Sequence, residues 1–361
     1  MSHDRIRPGH WSSIVPVLAC GILIGLGGQS IGWALGSLTG LALLASVIAG
    51  VHHAEVVAAK VGEPFGTLVL ALAVTVIEVG LITSIMLSGG TGGSTLARDT
   101  LFATVMIVCN GVVGACLVVG TARHHVLSFR AEGAGHTLAA LIPLLVLTLV
   151  LPNFTTTTPG PTYALPQLLF AGSAALILYG VFVFAQTVRH RDYFLPLEGS
   201  PSTAHAPPPS NAVTWASSAL LVLSLLAVVG LAKRLAPSIE AGILAISAPL
   251  TTVGLVIALI VLAPESVAAL RAAWRNRMQT SLNLALGSAL ASIGLTIPAV
   301  AALSISYGLP LELGLAPAQI VLLSLTMLLS AITLAGGRAT VLHGAVHLVV
   351  FGAYLLMAFV P

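Results

Sequence analysis

The sequence predicts an all-α, polytopic membrane protein. Of its 361 residues, 57% are hydrophobic and only 7% carry a charge, and the mean hydropathy is +1.05. A soluble domain is charged at about a quarter of its residues, so this chain lacks the charge to cover a water-facing surface. Its apolar residues also form runs near the roughly 20 residues that a helix needs to cross a bilayer. The chain is therefore predicted to lie in a lipid bilayer.

Charged residues, prolines and glycines divide the chain into eleven predicted spanning helices. The first is interpreted as a span rather than a signal peptide, because its apolar sequence continues without a clear cleavage site. The fifth is the shortest. The predicted spans are approximately 12–33, 38–60, 65–88, 100–121, 136–152, 163–188, 213–232, 241–270, 279–306, 317–336 and 340–360.

The positions of the basic residues orient these helices. With the N-terminus in the cytoplasm, eleven of the fourteen Lys and Arg fall in cytoplasmic segments, and only Arg98, Lys233 and Arg234 fall outside. This bias follows the positive-inside rule and places the C-terminus outside. Because the basic residues are scattered rather than clustered, no nucleic-acid partner is expected. The oligomeric state does not follow from the sequence.

A linker divides the predicted spans into six and five. Residues 189–212 include "EGSPSTAHAPPPSN", a composition that stays extended and buries no core. The predicted organisation is an N-terminal segment with the first helix (1–37), a five-helix repeat (38–188), a cytoplasmic linker (189–212) and a second five-helix repeat (213–361).

Two glutamates occupy matched positions in the two halves. "LVLALAVTVIEV" (68–79) aligns with "LVIALIVLAPES" (255–266), so that Glu78 and Glu265 coincide. Glu78 lies on the third predicted helix and Glu265 on the eighth, and this odd offset reverses the direction in which the chain crosses the membrane. The pattern predicts inverted-topology repeats whose broken helices meet at an ion site near the midplane.

The chemistry of buried carboxylates favours proton and cation exchange. A charge at the bilayer centre costs at least about 2.5–3.5 kcal/mol, so each glutamate is stable when protonated or when bound to a cation. Neutralisation by a nearby arginine is the structural alternative, but few basic residues lie at membrane depth. Hard cations such as Ca²⁺ prefer several oxygen ligands. Further ligands are expected among Thr75, Ser84, Thr104, Asn110, Asn283 and Ser288.

Three stretches resemble the calcium/proton exchanger family of the cation/calcium exchanger superfamily, closest to its bacterial sodium/calcium:proton antiporters. They are "GEPFGTLVLALAVTVIEV", "APESVAALRAAWRNRMQTSLNLALGSALASIGLTIP" and "GGRATVLHGAVHLVVFGAYLLMAF". The resemblance implies a 1+5+5 helix arrangement, a bacterial inner-membrane location and no cofactor other than the transported Ca²⁺ or Na⁺ and H⁺. It also implies that Glu78 and Glu265 are the essential cation- and proton-binding acids, with Ser288 and Asn110 as motif counterparts.

The sequence departs from the family pattern at three polar positions. Thr75 and Leu262 replace the motif asparagines, and Ala291 replaces a glutamine. These losses weaken the expectation of strict calcium selectivity and leave sodium or potassium open as substrates.

Other polar residues allow further roles. Glu55 resembles a helix-two acid of the family and is a possible relay, as is His343; a helix-end polar patch is the alternative for Glu55. His343 and His347 share a helix face, and structural histidines are favoured over a zinc site because the zincin glutamate is missing. An alternative function is an intramembrane hydrolase with Ser288 as nucleophile and either histidine as base, although the sequence around the serine, "LGSAL", lacks the usual elbow motif.

Overall fold

The computed structural model describes residues 11–27, 32–62, 65–87, 93–196, 208–245 and 248–360, and most of these are helical. Within them lie helices α1 (Trp11–Gly25), α2 (Trp33–Val61), α3 (Phe65–Met86), α4 (Leu96–Met106), α5 (Val113–His124), α6 (Ala131–Leu145), α7 (Leu165–Phe184), α8 (Asn211–Ala245), α9 (Thr252–Trp274), α10 (Met278–Tyr307), α11 (Pro317–Ala335) and α12 (Val341–Phe359). Two short strands, β1 (Leu127–Ser128) and β2 (Arg338–Ala339), pair antiparallel.

Several helices continue into less regular turns. The segments Ile107–Val112, Val146–Val150 and Ala185–Arg189 are π-helical. The segments Leu151–Phe154 and Arg191–Phe194 are 3₁₀-helical. The first π-helical segment joins α4 to α5, so that Leu96–His124 forms one continuous helical span.

The predicted multi-span helical fold is confirmed. In the described parts of the chain, ten helical stretches are long and apolar enough to cross a membrane, and α1 is a shorter apolar helix. The fifth span is longer than predicted: it runs over Ala131–Phe154, for 24 residues. The repeat topology stays a prediction.

The boundary between the seventh and eighth predicted spans was wrong. Lys233 and Arg234 suggested that the seventh helix ends at residue 232, but α8 continues through them and through Pro237 to Ala245. Long basic side chains reach out of an apolar helix through their flexible stems, so they do not have to end it. The Arg234 guanidinium donates to the backbone oxygen of Leu26 over 3.3 Å. The next helix accordingly begins at Thr252, not near residue 241.

The chain forms two compact units, each of which draws helices from both predicted halves. The first unit holds α1, α2, α3 and α8, within residues 1–93 and 203–250. Small residues let its helices approach closely: a Cβ at Gly80 of α3 would lie 2.6 Å from Cγ2 of Val229 on α8, and one at Gly50 of α2 would lie 3.3 Å from Cβ of Ser224.

The second unit holds α4–α7, α9–α12 and the strand pair, within residues 94–202 and 251–361. Helix α10 is central to it and contacts α4, α5, α6, α7 and α9. Helix α5 packs on α12, where a Cβ at Gly344 would lie 2.8 Å from the backbone oxygen of Gly114. In the strand pair, Leu127 lies opposite Ala339.

The predicted linker is only partly described. Residues 197–207 of the 189–212 stretch lie outside the described residues. The preceding Arg191–Phe194 turn is folded onto the second unit, where Phe194 is buried and packs edge-on against Phe182. The predicted division into repeats remains untested.

Candidate functional site

Glu78 is a buried acid within the first unit. It lies in the middle of α3, whose sequence contains no other charged residue, and only 2% of it is exposed. Helices α2 and α8 both pack against α3. Thr75 lies one turn earlier and is also buried, and its hydroxyl donates to the backbone oxygen of Ala71 over 2.8 Å. The threonine oxygen can therefore still act as an acceptor or as a cation ligand.

Glu265 lies in the second unit, half-buried on α9 and directly after Pro264. Proline has no N–H, so the backbone oxygen of Ile260 loses its usual helical donor. A carboxylate and a carbonyl without its helical hydrogen bond thus occur within two turns of one helix. Both kinds of oxygen are ligands for Na⁺, K⁺ and Ca²⁺.

The broken helices expected around the two acids are not observed. Both α3 and α9 are continuous α-helices in the structure. Glu78 belongs to the first unit and Glu265 to the second. That their carboxylates share one cation therefore stays a prediction.

Irregular backbone occurs instead at Asn110, in the π-helical segment Ile107–Val112. This segment contacts α9, α10, α11 and α12. Asn110 is 0% exposed. Its Nδ2 donates to Thr326 Oγ1 over 2.8 Å, and its Oδ1 lies 3.1 Å from Nδ1 of His347. π-Helical turns of this kind often mark functional sites.

Asn283 and Ser288 lie on α10. The Nδ2 of Asn283 donates to the backbone oxygen of Phe194 over 2.7 Å, and its Oδ1 accepts from Gln279 over 3.0 Å. Gln279 in turn accepts from the backbone N–H of Arg130 over 2.7 Å. Asn283 thus holds the turn that follows α7, and its role as a cation ligand stays a prediction. Ser288 is half-buried and lies five residues further along the same helix.

The two possible relay residues have different surroundings. Glu55 is exposed on α2. His343 lies in the first turn of α12, where its Nδ1 accepts from the backbone N–H of Thr340 over 3.2 Å. This contact caps the helix, and the relay role of both residues remains untested. Within the described ranges, no group of three or more His, Cys, Asp and Glu side chains could hold a metal ion.

Sequence reasoning missed a buried ion pair at the start of α4. Asp99 is 5% exposed, and its Oδ1 lies 2.9 Å from Nε of Arg98. Thr95 donates to the other carboxylate oxygen over 2.8 Å, and Arg98 also donates to the backbone oxygen of Gly314 over 3.0 Å. The signal in the sequence was an acid in the first helical turn, four residues after a threonine.

A chain of many apolar spans with buried acids has the architecture of an ion transporter. Comparison with known proteins identifies the family of transporters. The chain belongs to the sodium/calcium exchanger protein family, whose model matches residues 29–188 and 216–360. It is therefore a membrane cation exchanger and not an enzyme.

Individual relatives cover nearly all of the chain. The protein y4hA of Sinorhizobium fredii is 46% identical over 100% of both chains. The sodium-potassium/proton antiporter ChaA of Escherichia coli is 34% identical over 98% of each chain. The solved structure of the Ca²⁺/H⁺ antiporter protein YfkE has a TM-score of 0.72 with 16% identity, covering 98% of this chain and 100% of that chain. At this identity YfkE supports the fold alone.

The predicted family is confirmed, and family membership removes the hydrolase alternative. The hydrogen bonds of the histidines agree with this outcome. The ring of His347 is held by Asn110 and Thr333, and that of His343 by Thr340. Neither ring is bonded to Ser288 in the part of the chain that the structure describes.

Proposed function

We propose that this protein is a secondary antiporter that moves Na⁺, K⁺ or Ca²⁺ out of the cytoplasm in exchange for protons. The cation and the protons would bind alternately at the carboxylates of Glu78 and Glu265, with alternating access provided by two inverted repeats. The observation that carries the proposal is the burial of Glu78 in the middle of an apolar helix of a cation exchanger.

Charge balance supports proton coupling. An ionised carboxylate in the membrane costs at least about 2.5–3.5 kcal/mol when nothing neutralises it. Glu78 therefore has two favourable states, protonated or cation-bound, and passing from one to the other exchanges the two ions. Glu265 adds a second carboxylate in the matched position of the other half. One divalent ion, or two protons, would neutralise the pair.

The choice of cations rests on the relatives and on the side chains. ChaA, with 34% identity over 98% of each chain, is a sodium-potassium/proton antiporter. The positions of the motif asparagines hold Thr75 and Leu262 here, which removes amide oxygens that a calcium site would use. These features favour monovalent cations and leave Ca²⁺ as a further substrate to compare directly.

The repeat arrangement and location are part of the proposal. The family model matches one stretch on each side of the linker, as expected if each half is a repeat. The bias of Lys and Arg supports a cytoplasmic N-terminus and an outside C-terminus. In a bacterium, the inner membrane would supply the proton gradient that drives export.

The test is cation-driven proton movement in inside-out membrane vesicles, followed with a pH-sensitive dye. Adding NaCl, KCl or CaCl₂ to wild-type vesicles should release protons from the lumen. Glu78→Gln and Glu265→Gln should each abolish this movement, because a neutral amide cannot alternate between proton and cation. The exposed Glu132→Gln is the matched control and should retain it. Full exchange by Glu78→Gln would refute the proposal.

A further inference from the structure

We propose that His347 is a positioning residue that fixes the side-chain amide of Asn110 and thereby sets the cation affinity of the site. The inference rests on the proposed antiport function. His347 lies on α12, one turn after His343, and carries no role in the proposed exchange so far. His347 and Asn110 lie 237 positions apart in the chain but are joined directly by a hydrogen bond.

The contact belongs to a fully buried polar network. Asn110, Thr326 and His347 are each 0% exposed, and Thr333 is 1% exposed. Nδ1 of His347 lies 3.1 Å from Asn110 Oδ1, and Nε2 lies 3.1 Å from Thr333 Oγ1. Buried polar groups without water depend on such partners, and removing one leaves the other unsatisfied.

The hydrogen-bond donors and acceptors determine the orientation of each side chain in this network. Thr326 Oγ1 donates to the backbone oxygen of Leu322 over 2.7 Å, so it accepts from Nδ2 of Asn110. The oxygen of the Asn110 amide then faces His347, whose Nδ1 must carry the hydrogen. Nε2 is left as an acceptor for the Thr333 hydroxyl. The network therefore assigns His347 to the neutral Nδ1–H tautomer.

Close helix packing brings the ring to the π-helical segment. A Cβ at Gly114 would lie 3.0 Å from Cβ of His347, and one at Gly111 would lie 3.3 Å from the ring of Phe351. The absence of side chains at these two glycines lets α12 approach the segment that carries Asn110.

A fixed amide has a direct consequence for cation binding. The amide oxygen can accept from His347 and still offer its second lone pair, while its nitrogen is held away by Thr326. Without the His347 donor only the Thr326 contact holds the amide, so the amide is less firmly fixed and its N–H groups, which repel a cation, can turn toward the site. Loss of the His347 donor should therefore weaken cation binding and leave the maximal transport rate largely unchanged.

The test compares two variants of equal polarity, each purified and reconstituted in liposomes. His347→Asn places an amide nitrogen near the position of Nδ1 and keeps a donor for Asn110. His347→Gln reaches the position of Nε2 instead and keeps only the partner of Thr333. His347→Gln should raise the KM for Na⁺ about tenfold with little change in maximal rate, and His347→Asn should stay within about threefold of wild type.

Equal KM values for the two variants, or a lower maximal rate with unchanged KM, would overturn the inference. If neither variant accumulates, Thr333→Val removes the hydroxyl that donates to Nε2 of His347 and so helps to hold the ring, at nearly constant volume. It should raise the KM for Na⁺ by a smaller factor, and an unchanged KM would count against the proposal.

A second readout separates this inference from the proposed function. The ¹⁵N signals of histidine side chains report the tautomer without any transport, and His347→Asn identifies the signal of His347 by its loss. An Nδ1–H tautomer in a protein that moves no cations would support the network and refute the antiport. An Nε2–H tautomer would overturn the assigned network whatever the transport result.

Discussion

At the scale of the residue, the proposed ion exchange depends first on the carboxylate of Glu78. Glu78 is almost fully buried in an apolar helix, where a charge that nothing neutralises is energetically costly. Asn110, unlike Glu78, is neutral, and hydrogen bonds hold both its amide nitrogen and its amide oxygen. One residue would supply charge to the site, and the other would supply a fixed dipole.

Proton and cation competition at the acids predicts a pH-dependent affinity. The apparent KM for Na⁺ of the wild-type protein should fall by about tenfold or more from pH 6 to pH 9, because a carboxylate must lose its proton before it binds a cation. Initial rates in proteoliposomes at several sodium concentrations measure this. Glu132→Gln should show the same trend, and a KM that stays constant over this range would contradict shared sites.

At the scale of the element, the helices are anchored by contacts that join distant parts of the chain. The start of α4 is fixed by the Arg98–Asp99 pair, and Arg98 also reaches the backbone of Gly314. Asp99 further lines a cavity of about 190 Å³ with Thr251, Gln319 and Tyr354. The acid therefore lies where the first turns of α4 and α11 meet, a position where helix dipoles favour negative charge.

Breaking the buried ion pair should destabilise the protein. Asp99→Asn leaves Arg98 without its carboxylate partner, and we expect a loss of about 3–5 kcal/mol in the free energy of unfolding. Thermal unfolding of the purified protein in detergent measures the change. Glu132→Gln removes an exposed acid from the first turn of α6 and should cost about 0.3–1 kcal/mol. Equal effects of both substitutions would argue against the structural role of the pair.

The contact between α5 and α12 gives a second prediction. Gly344→Ala would place a Cβ 2.8 Å from the backbone oxygen of Gly114 and 2.8 Å from the backbone nitrogen of Val118. Because the neighbouring atoms are backbone, the helices must shift, and a loss of about 1–3 kcal/mol in stability is expected. Gly352→Ala on the same helix meets no atom within 4 Å and should be neutral or slightly stabilising. Melting temperatures of the two variants provide the comparison.

The features of the fold and of the candidate site that could be predicted from the sequence are those that depend on local composition. Runs of apolar residues located the spanning helices, and the isolated charge marked Glu78. The end of α8 was missed because Lys233 and Arg234 resemble a membrane boundary unless their side chains are seen. The His347–Asn110 and Arg98–Gly314 contacts join residues more than 200 positions apart, and no local pattern reveals which distant residues will meet.

At the scale of the whole molecule, the compact units do not coincide with the two halves of the chain. Helices α1–α3 are joined by α8, and the remaining helices form the second unit. Glu78 and Glu265 therefore belong to different units as well as to different halves. The proposed alternating access would act on two acids that are carried by separately packed groups of helices.

The orientation of the whole chain can be tested with fusions. Alkaline phosphatase, which is active only outside the cytoplasm, should be active when fused after residue 360 and inactive when fused at residue 208 in the linker. Green fluorescent protein at the same two positions should give the opposite result. Phosphatase activity at residue 208 would contradict the predicted topology, in which the bias of Lys and Arg sets the orientation.

The interleaved order of the helices also constrains biosynthesis. Helices α1–α3 leave the ribosome early, but α8, which packs on all three, is made only after α4–α7. During translation, α3 and its Glu78 are therefore made before α8, one of the helices that pack against α3. A nascent chain that stalls in the linker would hold an unfinished bundle, an obvious substrate for membrane chaperones and quality-control proteases.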